Sequence, residues 1–421
     1  MVNLALRRRR RPRAGRWFVA GATLVVAAGF LGLGGCASRS VSNQPEPVSS
    51  QPETVATAAK VPDYYAETTA ALVPAYSPDN IRFRDTDTGA IAATVQPPRP
   101  YQSFGYVFAT DIPNTWVAGA QPWHPVQDDN SAQPVTLFDV TFNPATRQVE
   151  TSRLPVPPVL GTELVTVALS PDGTKLAEVT LTLGPVVRSS TGSPSQTGVA
   201  VLRVYAMTGG TGKPRVSSRT LATAPDADYL TDYSLTWLGD GRTLAVGGTF
   251  GAVVPLRPAP AVLTVDTSVP GRLTAVTTVT LKFPPPGQAT FDPKTAVPTG
   301  CWDAPIATSD GAGIICGGMA ATTMNAGGDA NVGIWGFDAR TGQLTATWDR
   351  HNICCMDPGT TNPKVLWVGP TDREFVATGY ALPNQGADLY VQNGDGGHPV
   401  PWPGLLHYPQ LGNIVEPVVA W

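Results

Sequence analysis

Beyond Lys60 the apolar positions of this 421-residue chain come in short runs, and no long stretch keeps the spacing of an amphipathic helix. Runs of β-branched and aliphatic residues alternate with clusters of Gly, Pro, Asp and Asn, the pattern of short strands joined by turns. Two kinds of turn recur. One is "SPDGTKLAEV" from Ser170, "LGDGRTLAVG" from Leu238, "TSDGAGIICG" from Thr308 and "GPTDREFVAT" from Gly369, with a looser copy, "TDIPNTWVAG", from Thr110. In each of the four an Asp (Asp172, Asp240, Asp310, Asp372) shortly precedes a run of aliphatic and small residues. Asp hydrogen-bonds its own backbone and Gly accepts a positive φ, so both suit a tight hairpin. The second kind is "RDTDTGAI" from Arg84 and "FDARTGQL" from Phe337, where Asp85 and Asp338 stand the same distance from Thr88-Gly89 and Thr341-Gly342. "FNPATRQV" from Phe142 keeps that frame; "YAMTGG" from Tyr205 is shorter and "VDTSVPGRL" from Val265 longer.

The two turns alternate, which describes antiparallel units of four strands: a, Asp-Gly turn, b, variable loop, c, Thr-Gly turn, d. Units are expected at Ser103–Pro158, Glu163–Ala224, Tyr233–Phe283, Cys301–His351 and Lys364–Leu405. A partial unit, Tyr64–Pro98, holds strands c and d and a candidate b, and a surplus strand, "NIVEPVVAW", ends the chain. The missing first strand and the surplus last one complement each other, and pairing them removes exposed sheet edges. The expected fold is therefore all-β: a six-bladed β-propeller, six blades being favoured over seven, closed by pairing of the N- and C-terminal strands. The "SPDG" and Asp-Gly hairpin pattern resembles the TolB-like and WD-type (WD40-like) propeller repeats over nearly all of this region. It lacks the Trp-Asp dipeptide recurring in register, since Trp302-Asp303 and Trp348-Asp349 are single occurrences. The resemblance implies a fold and a binding role and no catalytic residues.

Upstream, a basic block (Arg7 to Arg11, Arg13, Arg16) precedes an uncharged stretch, Trp17 to Gly35. A basic n-region, an apolar h-region and small terminal residues make a secretory signal peptide. Leu33-Gly34-Gly35-Cys36 resembles the lipobox of bacterial lipoproteins. That resemblance implies cleavage before Cys36, diacylglyceryl attachment to its thiol and a mature chain without residues 1–35. The alternative, an uncleaved spanning helix, is long enough for a bilayer but has no use for a terminal Gly-Gly-Cys. Both place the rest of the chain on the extracytoplasmic side, since the arginines stay inside. The hydrophobic pair expected after a twin-arginine motif is missing, so the export route, Sec or twin-arginine, stays open. Residues 36–60 are Ser-, Pro-, Gln- and Thr-rich without an aromatic residue. Such a segment is a disordered tether, with a reach of about 25–30 Å. The propeller occupies 61–421.

Charged residues are only 14% of the chain, and 43 Gly and 42 Pro imply many turns. Removing residues 1–35 removes seven arginines and no acid, which takes the formal charge from −3 to −10. An acidic mature chain with no basic cluster is a poor nucleic-acid ligand. In an up-and-down blade the a–b and c–d turns share one face of the ring and the b–c and d–a loops the other. The first set is short here. The second, 119–134, 183–198, 249–260, 284–300 and 320–331, is long and irregular. Long loops on a rigid scaffold are where function usually sits, so the loop face is the expected interaction surface.

Candidate chemistry is sparse. Four cysteines follow Cys36: Cys301, Cys316, Cys354 and Cys355. An even count outside the cytoplasm suggests disulfides. Three connectivities are open, with Cys301 to Cys354 or Cys355 favoured and a vicinal Cys354–Cys355 bridge among them. "HNICCMDP" from His351 offers soft ligands for a metal or redox sensor, but adjacent cysteines lack the usual Cys-x-x-Cys bite. No metal site and no cofactor is expected. Trp123, His124, Asp128 and Asp129 group in one b–c loop, and with Trp302 and His351 they are the candidate binding residues. Paired carboxylates there could hold calcium or act as acid and base. No nucleophile elbow, zinc-protease helix or phosphate loop is present. The expectation is a monomeric, lipid-anchored module at the cell membrane that binds an envelope protein or glycan. The alternative is an extracytoplasmic enzyme with its site at the propeller channel.

Overall fold

The structure is a computed structural model. It describes residues 61–69, 80–122, 134–160, 162–188, 194–207, 214–224, 233–248, 251–252, 261–269, 273, 276–282, 300–301, 305–321, 330–353, 365–369, 372, 374–378, 389–393, 396–400, 406–408, 413–415 and 417–420. The chain divides into two units, Met1–Ala56 and Thr57–Trp421, and every described residue lies in the second.

All the regular structure described is β. The first sheet holds β1 (Tyr64–Thr69), β2 (Ile81–Asp85) and β3 (Ile91–Val95). The second holds β4 (Ser103–Ala109), β5 (Thr115–Gln121), β6 (Thr136–Asn143) and β7 (Gln148–Arg153). The third is β8 (Glu163–Leu169), β9 (Lys175–Arg188), β10 (Pro194–Ala206) and β11 (Arg215–Ala224). The fourth is β12 (Ser234–Trp237), β13 (Thr243–Gly247), β15 (Ala261–Asp266) and β16 (Val276–Thr280). Between β13 and β15, β14 (Gly251–Ala252) leaves its own sheet and pairs in parallel with β11, covering the third sheet's edge. The fifth has a first strand in two pieces, β17 (Gly300–Cys301) and β18 (Ile306–Ala307), both on β19 (Gly313–Ala321), then β20 (Ala330–Asp338) and β21 (Leu344–Ile353). The sixth is β22 (Val365–Val368), β23 (Phe375–Thr378), β24 (Leu389–Asn393) and β25 (Gly396–Val400).

The C-terminal stretch read as one strand is split. β26 (Leu406–Tyr408) pairs with β27 (Asn413–Val415), while β28 (Pro417–Ala420) pairs antiparallel with β1. The first sheet therefore runs β28-β1-β2-β3, its innermost strand supplied by the far end of the chain. β1 is strand b of that unit.

Successive sheets pack face to face. Phe83 and Ile81 meet Phe104, Trp116 and Phe138 between the first and second sheets, where Phe83 and Phe142 stack at 5.1 Å. Val117 and Leu137 meet Leu164 and Leu176 between the second and third. Like layers join the third to the fourth, the fourth to the fifth and the fifth to the sixth. First strands neighbour first strands in chain order, β4 beside β8, β8 beside β12, β12 beside β18 and β18 beside β22. A strand sandwiched between two sheets needs apolar residues on both faces. β5 ("TWVAGAQ") is accordingly buried almost throughout, while outer strand β7 alternates between exposed and half-buried positions.

Candidate functional site

The sheet register sorts the connections by end. The a–b and c–d turns 110–114, 170–174, 238–242, 308–312, 86–90, 144–147 and 339–343 lie at one end. The strand ends from which the b–c and d–a connections leave, Gln121, Gly247, Ala321, Thr378, Ala224, Thr280 and Ile353, lie at the other.

At the turn end, polar groups are satisfied locally. Asp85 accepts from the backbone N–H of Thr88 at 2.8 Å and its hydroxyl at 2.7 Å, with Gly89 at φ 68°. Asp338 does the same with Thr341 at 2.6 and 2.7 Å, with Gly342 at φ 68°. These bonds hold the Asp338 carboxyl below its ordinary range, the Thr341 hydroxyl being the main cause. Asp172 is held down likewise, chiefly by the Ser170 hydroxyl, and Asp310 by the Thr308 hydroxyl. The four Asp-Gly hairpins share one frame, closed by Ser170 N–H to Lys175 O, Leu238 to Thr243, Thr308 to Gly313 and Gly369 to Glu374. In that frame Asp372 does not match Asp172, Asp240 and Asp310. It occupies the glycine position, at φ 59° where Gly173, Gly241 and Gly311 have 68°, 62° and 64°.

The turns also interlock around the molecule. Lys175 reaches the fourth sheet, donating to Thr267 Oγ1 at 3.2 Å with its ammonium 5.7 Å from the Trp237 ring centre. Gly311 lies so close to Gly239 that a Cβ there would strike backbone. Ser309 donates its N–H and hydroxyl to the Asp372 carboxylate at 2.6 and 3.1 Å, tying the fifth sheet to the sixth.

Two ion pairs are built into the sheets. In the third, Glu178 on β9 stands opposite Arg203 on β10. Its Oε1 accepts from Arg203 Nη1 at 3.3 Å and from the Tyr205 hydroxyl at 2.9 Å, while Arg203 also donates to Thr180 at 2.7 Å. Burial pushes the Glu178 carboxyl up, opposed by the Tyr205 hydrogen bond and the Arg203 charge. In the first, Glu67 on β1 accepts from Arg84 Nε at 2.6 Å, with Arg82 3.6 Å away. The second carboxylate oxygen of each glutamate is buried and accepts no hydrogen bond among the described residues. Nothing in the sequence pattern signalled these pairs, whose partners are set by the cross-strand register.

Toward the loop end, β8 begins with Glu163, next to Tyr106 on neighbouring strand β4. Desolvation and the Glu163 charge push the Tyr106 hydroxyl up to about 12, and partial desolvation of its carboxyl, on a residue exposed as a whole, pushes Glu163 up. The other described first strands begin with Ser103, Ser234, Gly300, Val365 and Pro417.

Of the residues singled out in sequence, Cys36, Trp123, His124, Asp128, Asp129, Trp302, Cys354 and Cys355 lie outside the described residues. His351 falls in β21 and Cys301 in β17. Cys316 is fully buried on β19, opposite Trp335. The stretch 183–198 is largely strand, because β9 and β10 continue as a hairpin past the end of β8, where Glu163 meets Leu181. Among the described residues no group of His, Cys, Asp and Glu could hold a metal ion, and no helix is long and apolar enough to cross a membrane.

No protein-family model matches the chain, and no curated protein matches it. Solved structures do resemble it. Hydrazine synthase of Kuenenia stuttgartiensis is 12% identical over 71% of this chain and 78% of that one, with a TM-score of 0.34. The β-propeller domain of Cps50 (Swd1) from Myceliophteria thermophila is 11% identical over 82% and 85%, TM-score 0.34. Chaetomium thermophilum Sqt1, solved bound to the N-terminus of the ribosomal protein L10, is 15% identical over 71% and 75%, TM-score 0.31. The assignment of this chain to the all-β, β-propeller class rests on its own sheets, six units built on four antiparallel strand positions and packed face to face in chain order.

Proposed function

We propose that this chain is a lipid-anchored extracytoplasmic propeller, six-bladed and closed through β28 and β1, that binds an envelope protein or glycan at its loop end. One observation carries the reading: the register puts most of the long connections at one end and the short, internally bonded turns at the other, where the Ala206-to-Arg215 and Asp266-to-Val276 links are the longer exceptions. A turn end whose polar groups are already spent on neighbouring turns has little left to offer a partner. The loop end has variable chain on a rigid frame, the usual setting for recognition. The anchor rests on the Leu33-to-Cys36 motif, and the 36–60 segment supplies the reach. The buried ion pairs act inside the sheets as structural elements in this reading.

The test is crosslinking in native cells followed by affinity capture, beside Cys36→Ala and a chain with 122–133 replaced by a short Gly-Ser loop. A stoichiometric protein partner lost on loop replacement supports the binding reading. Release of Cys36→Ala from the membrane fraction supports the anchor. If no protein is captured and soluble 61–421 binds no envelope glycan, the binding reading falls and the enzyme alternative takes its place, with Glu163 and Tyr106 the first residues to substitute.

A further inference from the structure

We infer that Cys316 is joined to Cys301, and that this disulfide fastens the split first strand of the fifth sheet to β19. Cys316 is disulfide-bonded and fully buried, so its partner must be another cysteine of the chain. The backbone register decides which.

In the fifth sheet Cys301 pairs with Gly318, and β18 resumes with Ile306 opposite Ile315. Cross-strand partners share a face, as do residues two apart on one strand. Positions 301, 318 and 316 therefore stand on one face, with 301 diagonal to 316. Diagonal neighbours in an antiparallel pair lie about 7–8 Å apart at Cα, and a disulfide spans about 4.4–6.8 Å. The remaining gap of an ångström or so is one the strand can close. Four residues separate Cys301 from Ile306 where only two separate their partners Gly318 and Ile315, so the first strand has more chain than β19 beside Cys316. Position 318, opposite Cys301, is a glycine and presents no competing side chain.

Cys354 and Cys355 are out of reach. They follow Ile353, which pairs with Ala330, itself paired with Ala321. From Cys316 that is five residues along the strand and two strands across, about 19 Å at ordinary strand spacings. One or two further residues recover at most about 4–8 Å, leaving Cα atoms more than about 11 Å apart, well beyond a disulfide. Cys301 is also out of their reach, about 17–18 Å from Ile353 at ordinary strand spacings. Its row runs through Gly318 and Gly333 to Arg350, three strands across and three residues short of Ile353. The register thus replaces the expected Cys301 link to Cys354 or Cys355 with Cys301–Cys316, and leaves the adjacent pair outside the bridge.

Oxidation forms the S–S bond as the two thiols lose two protons and two electrons to an oxidised disulfide-exchange protein, which is reduced to its dithiol. The extracytoplasmic reading of the chain supplies that oxidant class; the pairing itself rests on the register alone. The bridge sits where Cys316 packs with Ile314, Trp335 and Phe337 against Leu238 and Ala245, in the layer between the fourth and fifth sheets. It holds a first strand whose two pieces each pair with β19 over only two residues.

The test is disulfide mapping of the full chain, purified without reductant, alkylated in denaturant and cut at aspartate. Trypsin would leave both cysteines in one peptide, whereas cleavage at Asp303 and Asp310 separates them. The expected result is one linked species joining the Cys301 and Cys316 peptides that divides on reduction. Cys316 recovered alkylated, or linked to Cys354 or Cys355, overturns the proposal. A second measurement does not depend on mapping. Cys301→Ala should add one thiol titratable in denaturant and lower the non-reducing melting temperature, while Cys354→Ala/Cys355→Ala leaves the Cys316 link intact. If Cys301→Ala does not fold, the wild-type map still decides.

Discussion

The indole N–H of Trp116 donates to the carbonyl of Ala420 at 3.1 Å, a hydrogen bond between residues 304 apart in sequence. Trp116 is on the second sheet and Ala420 on the strand that completes the first. The C-terminus is thus fixed twice, by its ladder to β1 and by a side chain of the next sheet. Trp116→Phe should keep the ring packing and lose about 1 kcal/mol, the usual net worth of one hydrogen bond. Removal of 417–421 should do far more, because it bares the edge of β1 and uncovers Phe104 and Trp116. Urea unfolding followed by tryptophan fluorescence separates the two. Equal effects would mean the terminal strand contributes little beyond that bond.

The Glu178–Arg203 pair should behave as a buried ion pair. Arg203→Met leaves a buried carboxylate unpaired and should cost about 3–5 kcal/mol. Replacing the network together, Glu178→Leu with Arg203→Leu and Tyr205→Phe, should restore most of that stability, since apolar packing removes the desolvation penalty. Chemical denaturation of wild type and the two variants reads this directly. A triple variant as unstable as Arg203→Met would show that the pair does more than satisfy itself.

Asp372 combines an unfavourable backbone with a useful carboxylate. Asp372→Gly relieves the left-handed φ, worth about 1 kcal/mol, but loses both bonds to Ser309, worth about 1–3 kcal/mol together. The net expectation is a lower melting temperature. Asp372→Asn tolerates the same φ and keeps an acceptor, so it should melt close to wild type. A more stable Asp372→Gly would show that the contact between the fifth and sixth sheets adds nothing.

Acid should loosen the turn end first. Asp172, Asp310 and Asp338 have carboxyl pKa values depressed by hydrogen bonds from Ser170, Thr308 and Thr341. A depressed folded value adds stability that is fully present above the unfolded value, about 3.9, and is lost as pH falls through the folded one. Glu178 and Asp139, raised by burial, act in the opposite sense, costing stability as pH climbs from the unfolded value through the folded one. Unfolding midpoints measured from pH 6 down to 2.5 should fall more steeply for wild type than for Asp338→Asn. Superimposable curves would remove Asp338 from the acid response.

Strand-turn alternation, unit boundaries and both turn types were legible because their physics is local. An Asp bonding the backbone within three residues, a Gly at positive φ and period-two strands are visible in ten residues of sequence, and Glu163–Ala224 is bounded in the structure as the pattern predicts. Local pattern also misled. "GPTDREFVAT" contains an Asp in the expected neighbourhood, yet the turn's hydrogen bonds shift that Asp into the glycine position. "LGPVVRSSTGSPSQTG" reads as a loop from its Gly, Ser and Pro, but pairing with the opposite strand extends it as a hairpin.

The candidate chemistry was legible only as residue types. The eighth position after each turn's first residue is Glu178, Val246, Cys316 and Ala377. Their partners on the next strand are Arg203, Leu263, Trp335 and Tyr390. One site in the architecture is thus occupied by an ion pair, an aliphatic pair, a cysteine facing tryptophan and an alanine facing tyrosine. The sequence by itself determined that such units repeat, how their turns close and that the two chain ends complement each other. These depend on backbone preferences and hydrogen bonds within a few residues. Only the tertiary structure decided which side chains share a layer and which cysteine stands diagonal to Cys316. Those depend on register and on contacts between residues tens to hundreds of positions apart, where a shift of one residue moves every side chain to the opposite face.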